Sequence, residues 1–212
     1  MPSLRSLSSL ATLAVALAAP AHAQIVADGG FETPNVGGNS FVYNPSGSAW
    51  TFVGNAGLIN GFTGFNTPGA APQGNQVAFL QTMDASQISQ TITLLASGAY
   101  QLSYTVAGRN NFGCCQGNTV YDVLLGGTQI ATGTTSSTMA YTAQTATFTA
   151  TAGTYTLAFT LDATTPANDN TAFFDAVSIT PVGSTVPEPG AVLLLATGLA
   201  GLGLAARARR AR

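Results

Sequence analysis

Residues 24–182 predict an all-β domain, an antiparallel β-sandwich or jelly roll. Three observations carry this. Apolar and polar residues alternate over short runs, as where Tyr100, Leu102, Tyr104 and Val106 interleave with Gln101, Ser103 and Thr105; this is the period of a half-buried strand. Turn-forming residues separate these runs at short intervals. Away from the two chain ends, no long segment repeats its apolar residues at the 3.6 spacing of a helix. About 160 residues suffice for one sizeable core, and short strands with frequent turns fit a sandwich.

The strands follow in order. Ala49 to Val53 is the first clear one, and Gln76 to Thr82 and Gln87 to Leu95 come next. The run around Tyr100 to Val106 precedes Val120 to Leu125, which enters Gly126-Gly127. Paired glycines suit a two-residue hairpin turn. Gln129 to Thr132 returns from it. Thr145, Thr147 and Thr149 alternate with Ala146 and Phe148; Tyr155, Leu157, Phe159 and Leu161 form the next strand; Phe173 to Ile179 closes the domain. Trp50 falls in an apolar strand and reads as core, although it and Phe112 are also ring types that stack on sugars.

The chain ends have different chemistry. Arg5 precedes the small, apolar run Leu10 to Ala19, and Ala21-His22-Ala23 fits a signal peptidase site. Residues 1–23 are expected to be a signal peptide, cleaved after Ala23. At the other end, residues 183–190 form a linker containing Pro187-Glu188-Pro189. Residues 191–206 are apolar and predict a transmembrane helix, and residues 207–212 carry four arginines. Arginines behind an apolar span stay in the cytoplasm. Sixteen residues at about 1.5 Å each span about 24 Å, short of a hydrocarbon core of about 30 Å. The segment is therefore a marginal anchor, suited to transient holding in the inner membrane.

Composition excludes several functions. From Gln24 to Val186 there are seven acids, one base (Arg109) and no lysine, so seven minus one leaves a net charge of −6. Such a surface has no footprint for nucleic acid. The single histidine, His22, leaves with the signal peptide, which removes a Ser-His-Asp triad, a Cys-His pair and histidine-ligated zinc. A carboxylate pair for glycoside hydrolysis remains formally open.

Three groups of residues are candidates for chemistry. The loop after the Tyr100 strand brings Arg109, Asn110, Asn111 and Phe112 together. Such a loop can grip a sugar by hydrogen bonds and stacking; alternatively it is structural, with Arg109 pairing an acid such as Asp122. Cys114 and Cys115 are adjacent, with Cα atoms about 3.8 Å apart, below the usual disulfide range. They form either a strained vicinal disulfide or links to another chain or matrix component. Asp175 shares the strand phase of Val177 and Ile179, so it points coreward and needs either donors or a metal. Glu32 lies where the first strand is expected to run beside the last. Hard oxygens of this kind suit calcium. Asp169, in the turn-rich segment from Thr164 to Asn170, is a lesser option for calcium.

Two resemblances follow. Gly29-Gly30-Phe31-Glu32, Gly74 to Leu80, Ile88 to Thr91, Gly98 to Tyr104 and Phe174 to Ile179 stand in an order that resembles the galactose-binding-like jelly roll of many carbohydrate-binding modules. The resemblance covers most of residues 25–181. It implies a two-sheet sandwich and a structural calcium near the paired chain ends, with Glu32 and Asp175 as ligands. Pro187-Glu188-Pro189, the apolar helix and the arginine cluster resemble the PEP-CTERM sorting signal. That implies processing by an exosortase of a Gram-negative bacterium and association with exopolysaccharide and biofilm. The expected protein is thus a non-catalytic cell-surface or matrix module that binds exopolysaccharide. The alternatives are a purely structural surface protein with glycosylated threonines and a glycoside hydrolase. The expected partners are signal peptidase, exosortase, the inner membrane, then exopolysaccharide. After processing the protein belongs in the periplasm, at the cell surface or in the extracellular matrix.

Overall fold

A computed structural model describes residues 24–61, 65, 67–82, 85–110, 117–161 and 169–183, all within one compact unit, Gln24–Ser184. The expected signal peptide with Ala21 and Ala23, Asn111, Phe112, Cys114, Cys115, Pro187-Glu188-Pro189 and the apolar tail lie outside the described residues.

The described residues form β-strands and no helix. In chain order the strands are β1 (Ser40–Tyr43), β2 (Thr51–Val53), β3 (Ala56–Asn60), β4 (Val77–Gln81), β5 (Gln87–Leu94), β6 (Gly98–Gly108), β7 (Thr119–Leu125), β8 (Thr128–Thr135), β9 (Thr142–Ala150), β10 (Gly153–Leu161) and β11 (Thr171–Pro181). One sheet runs β1-β3-β4-β11-β6-β9 and the other β2-β5-β10-β7-β8, with antiparallel pairing throughout. The all-β sandwich expected from the alternation is what the chain adopts. The Gly126-Gly127 turn joins β7 to β8, with Leu125 opposite Thr128. Both glycines have positive φ, 57° and 84°, as the twist of a two-residue hairpin requires.

The inner faces meet in one core. Tyr100, Leu102, Tyr104 and Val106 of β6 face Tyr121, Val123 and Leu125 of β7 and Leu157 and Phe159 of β10. Aromatic rings dominate its centre: Phe159 and Phe174 lie 4.9 Å apart and Tyr121 and Phe174 5.1 Å apart. Trp50 is 2% exposed and packs 4.9 Å from Phe31, so it is a core residue. It precedes β2 rather than lying within it.

The six-stranded sheet is also covered on its outer face. Ile59, Phe65, Val77, Phe79, Ala107 and Phe173 form a second cluster there, with Ala71 and Tyr141 against it. Phe65 and Ala71 come from the segment between β3 and β4. This explains why all five residues of β4 are buried: Ala78 and Leu80 turn inward, and Val77 and Phe79 outward.

Two details differ from the sequence-based expectation. Residues 29–32 run beside β11, where Val177 N donates to Gly29 O at 2.8 Å, but they form no strand. Glu32 therefore sits in a loop. The second difference is the phase of Asp175. The pairing of β11 with β6 shifts between Asp175 and Ser178, and Ala176 has φ 53°. One residue is bulged out, so alternation reverses across it. Phe174, Val177 and Ile179 share the inner core, and Asp175 falls on the outer face with Phe173.

Candidate functional site

Two polar constellations lie on this covered sheet. The first is acidic. Asp28 has φ 47°, and its Oδ1 and Oδ2 accept the amides of Glu32 and Thr33 at 2.8 and 2.9 Å. Glu32 Oε1 accepts the amides of Asn75 and Gln76, both at 2.8 Å. Asp175 is fully buried; its Oδ2 accepts Gln73 N and its Oδ1 accepts Ala176 N, both at 2.7 Å. The loop 73–76 thus donates to both Glu32 and Asp175, so these predicted partners do meet at one corner. Gly74 makes the approach possible: its φ is +70°, and a Cβ there would lie 2.4 Å from the Glu32 carboxyl carbon. Buried Gln76 completes the corner. Its Nε2 donates to Phe31 O and Pro34 O, and its Oε1 accepts Val36 N.

Burial pushes the Asp175 carboxyl up to about 7. The amides of Gln73 and Ala176 pull it down, and the charges of Glu32 and Asp28 raise it further. Burial also raises the Tyr141 hydroxyl, with Asp175 adding to it. Among the described residues no group of three or more acids, histidines or cysteines is arranged to hold a metal ion. Each of the three carboxylates is instead committed to main-chain amides.

The second constellation lies at the rim, where β6 ends and β11 begins. Arg109 Nη1 contacts Asp169 Oδ2 at 3.0 Å and donates to Asp169 O at 3.1 Å. Its main chain is fixed as well, with Arg109 N donating to Thr171 O. The Arg109 side chain is 11% exposed, and its guanidinium carbon lies 5.0 Å from the Phe65 ring centroid, within cation–π range. Gln81 Nε2 donates to Asp169 Oδ1, and Gln81 Oε1 accepts the Tyr43 hydroxyl at 2.6 Å. Burial, then Asp169, raises the Tyr43 hydroxyl pKa. Beside this chain of contacts Phe41 and Tyr43 stand 40% and 38% exposed, on one side of edge strand β1. Phe41 packs on Phe65 at 4.9 Å and Tyr43 on Phe79 at 5.2 Å. Next to Asp169 in the chain, Asn170 Nδ2 and Oδ1 and Thr171 Oγ1 are buried with no hydrogen-bond partner, as is Thr119 Oγ1 at the start of β7 in the other sheet.

The rim corrects the expected pairing of Arg109. Its partner is Asp169, not Asp122, which accepts Gln129 Nε2 at 2.6 Å. Of the predicted binding loop, the structure describes Arg109 and half-buried Asn110. Tyr43, Gln81 and Asn170 were not expected there. The visible signal was Phe41-Val42-Tyr43, an apolar run between Asn39 and Asn44 with no basic residue to discourage an open edge.

Comparison with protein families matches residues 22–180 to the HpiC1-like family, described as HpiC1 cyclase. The chain belongs to the HpiC1-like family. The match takes in both constellations of this HpiC1-like chain and all of its sandwich but Pro181, the last residue of β11. Residues 185–210 match the PEP-CTERM protein-sorting motif, which implies an exported protein that is anchored in the membrane and then processed. Comparison with curated proteins gave no match. Among solved structures, TmCBM61 in complex with β-1,4-galactotriose is 14% identical with a TM-score of 0.52, over 76% of this chain and 99% of that one. A family 35 carbohydrate-binding module from Clostridium thermocellum is 15% identical, with a TM-score of 0.47 over 62% and 92%. The module CBM36 in complex with calcium and xylotriose is 18% identical, with a TM-score of 0.45 over 66% and 99%. The similarity to TmCBM61 establishes a fold of the carbohydrate-binding-module type.

Proposed function

We propose that the sandwich is a non-catalytic module that binds exopolysaccharide at its β1–β4–β11 rim. The tail, processed by an exosortase near Pro187-Glu188-Pro189, delivers it to the cell surface or matrix. The observation that carries this is the exposed Phe41–Tyr43 ring pair beside the Tyr43–Gln81–Asp169–Arg109 chain. Rings present a face on which a sugar can stack, and the amide and hydroxyl groups beside them fix its orientation. Asn110, Asn111 and Phe112 are proposed as further ligand contacts.

The family description names a cyclase, so turnover has to be weighed. Two facts favour binding. Asp175 is fully buried, with an amide on each oxygen, and a general acid must reach its substrate. Asp169 is tied to Arg109 and Asp122 to Gln129, which leaves them poorly placed for the facing carboxylates of a glycosidase. A purely structural, glycosylated protein is a second reading, favoured by the exposed threonines Thr91 and Thr93 of β5 and Thr154 and Thr156 of β10. Calcium at Glu32 and Asp175 is proposed as an alternative to a proton on Asp175. The charges of Glu32 and Asp28 acting on Asp175 favour it; the amides already on their oxygens oppose it.

The test is binding of the purified domain to immobilised polysaccharides, comparing wild type with Phe41→Ala and Tyr43→Ala. The half-exposed Phe41 ring can be removed with little effect on folding, so circular dichroism should remain unchanged while binding falls about tenfold, the order of one lost ring stack. Equal binding by both variants would remove the rim as the site.

A further inference from the structure

The geometry points to uncharged glycans as the ligand class of the rim, with uronate and sulfated chains rejected; this rests on the glycan-binding reading above. Two observations lead there. First, the only base of residues 24–186 is not available to an anion: Arg109 is 11% exposed, ion-paired to Asp169 at 3.0 Å and set against the Phe65 ring. An incoming carboxylate would have to displace Asp169, itself 34% exposed, from a guanidinium that is mostly buried. Second, the seven acids and one base of this segment repel a polyanion before contact, over a range set by the ionic strength. A neutral sugar, which needs no counter-charge, meets neither obstacle, and its hydroxyls both donate and accept beside the Tyr43 and Gln81 groups.

Asp169 is then the residue that sets charge selectivity. Its φ of 57° is one that asparagine tolerates, so Asp169→Asn should fold normally while removing the carboxylate that faces Arg109 Nη1 at 3.0 Å. The experiment measures affinity of the full exported domain for neutral probes (β-glucan, β-1,4-galactan, xylan and mannan) and acidic ones (polygalacturonate, alginate and hyaluronan) at low and high salt. Wild type should bind at least one neutral polymer at least about tenfold more tightly than any acidic one, and Asp169→Asn should gain about tenfold on an acidic polymer at low salt, as expected when a charge becomes available at an interface. Wild-type binding to an acidic polymer as tight as, or tighter than, to every neutral one would overturn the charge assignment and leave the glycan-binding reading intact. Binding to none of the probes would overturn the reading beneath it, and with it this inference.

Discussion

Removing the charge of Asp175 should flatten the pH dependence of this domain. The carboxyl rises from an ordinary 3.8 to about 7 in the folded chain because burial penalises the ionised form. Between those two values the folded chain holds a proton that the unfolded chain has released. Stability therefore declines as pH rises through this window, is fully supported below it, and has lost the whole contribution above it. At about 1.4 kcal/mol per pKa unit the loss is at most about 4 kcal/mol, or about 10 °C of melting temperature for a domain of this size. Trp50, the only tryptophan of the chain, supplies the assay: it donates from Nε1 to Asp28 O at 2.9 Å and packs on Phe31, so its fluorescence reports release of the acidic corner. In EDTA, the midpoint should fall from pH 4.5 to pH 8, and Asp175→Asn should remove the slope whatever it does to absolute stability. A flat profile in wild type would refute the account of Asp175. Calcium should abolish the fall by replacing the proton; a calcium-independent profile would refute the metal and leave the proton as the counter-charge.

Three further outcomes follow. Gln76→Ala strips partners from Phe31 O, Pro34 O and Val36 N at once; it should cost at least about 2 kcal/mol in urea unfolding, and a loss below 0.5 kcal/mol would show that water replaces the amide. Phe174→Ala opens a cavity against Tyr121 and Phe159 and should cost about 3–5 kcal/mol with unchanged strand content. Mass spectrometry of native protein from cell, outer-membrane and medium fractions should find a C-terminus near Glu188, and an intact Arg212 terminus in every fraction would end the processing reading.

The sandwich was legible because its inner faces obey a two-residue period over β5, β6, β7, β10 and most of β11. β3 was missed because it is short and closely packed: Ala56 to Ile59 are all buried, so its apolar run has no alternation to read. The phase of Asp175 was missed for a different reason. A bulge costs one residue of register, and Ala176 at φ 53° carries no local signal of it, since alanine rarely adopts that conformation. Counting by twos from Val177 therefore put Asp175 on the wrong face while still finding it buried. The partner of Arg109 was hidden by distance along the chain. Asp169 is 60 residues away, and only the pairing of β6 with β11 brings the two together.

That pairing also bears on the division of labour within the domain. β11 lies at the centre of the six-stranded sheet, and both polar constellations are built on it: Asp175 meets the N-terminal segment at one, and the entry to the strand at Asp169 and Asn170 forms the rim at the other. The acidic corner uses its carboxylates to hold loops, spending every described carboxylate contact of Asp28 and Asp175 on backbone amides. The rim leaves two rings half exposed beside the Tyr43–Gln81–Asp169 contacts, so of the two it is the rim that should meet a ligand and the corner that should hold the rim's sheet in register. The two roles separate experimentally: Phe41→Ala should change binding without moving the midpoint, and Glu32→Gln should move the midpoint while leaving neutral-glycan affinity within about twofold at temperatures where both proteins are folded, since the sites share no contact residue. Loss of glycan affinity in folded Glu32→Gln would mean that the corner, and not the rim, carries recognition.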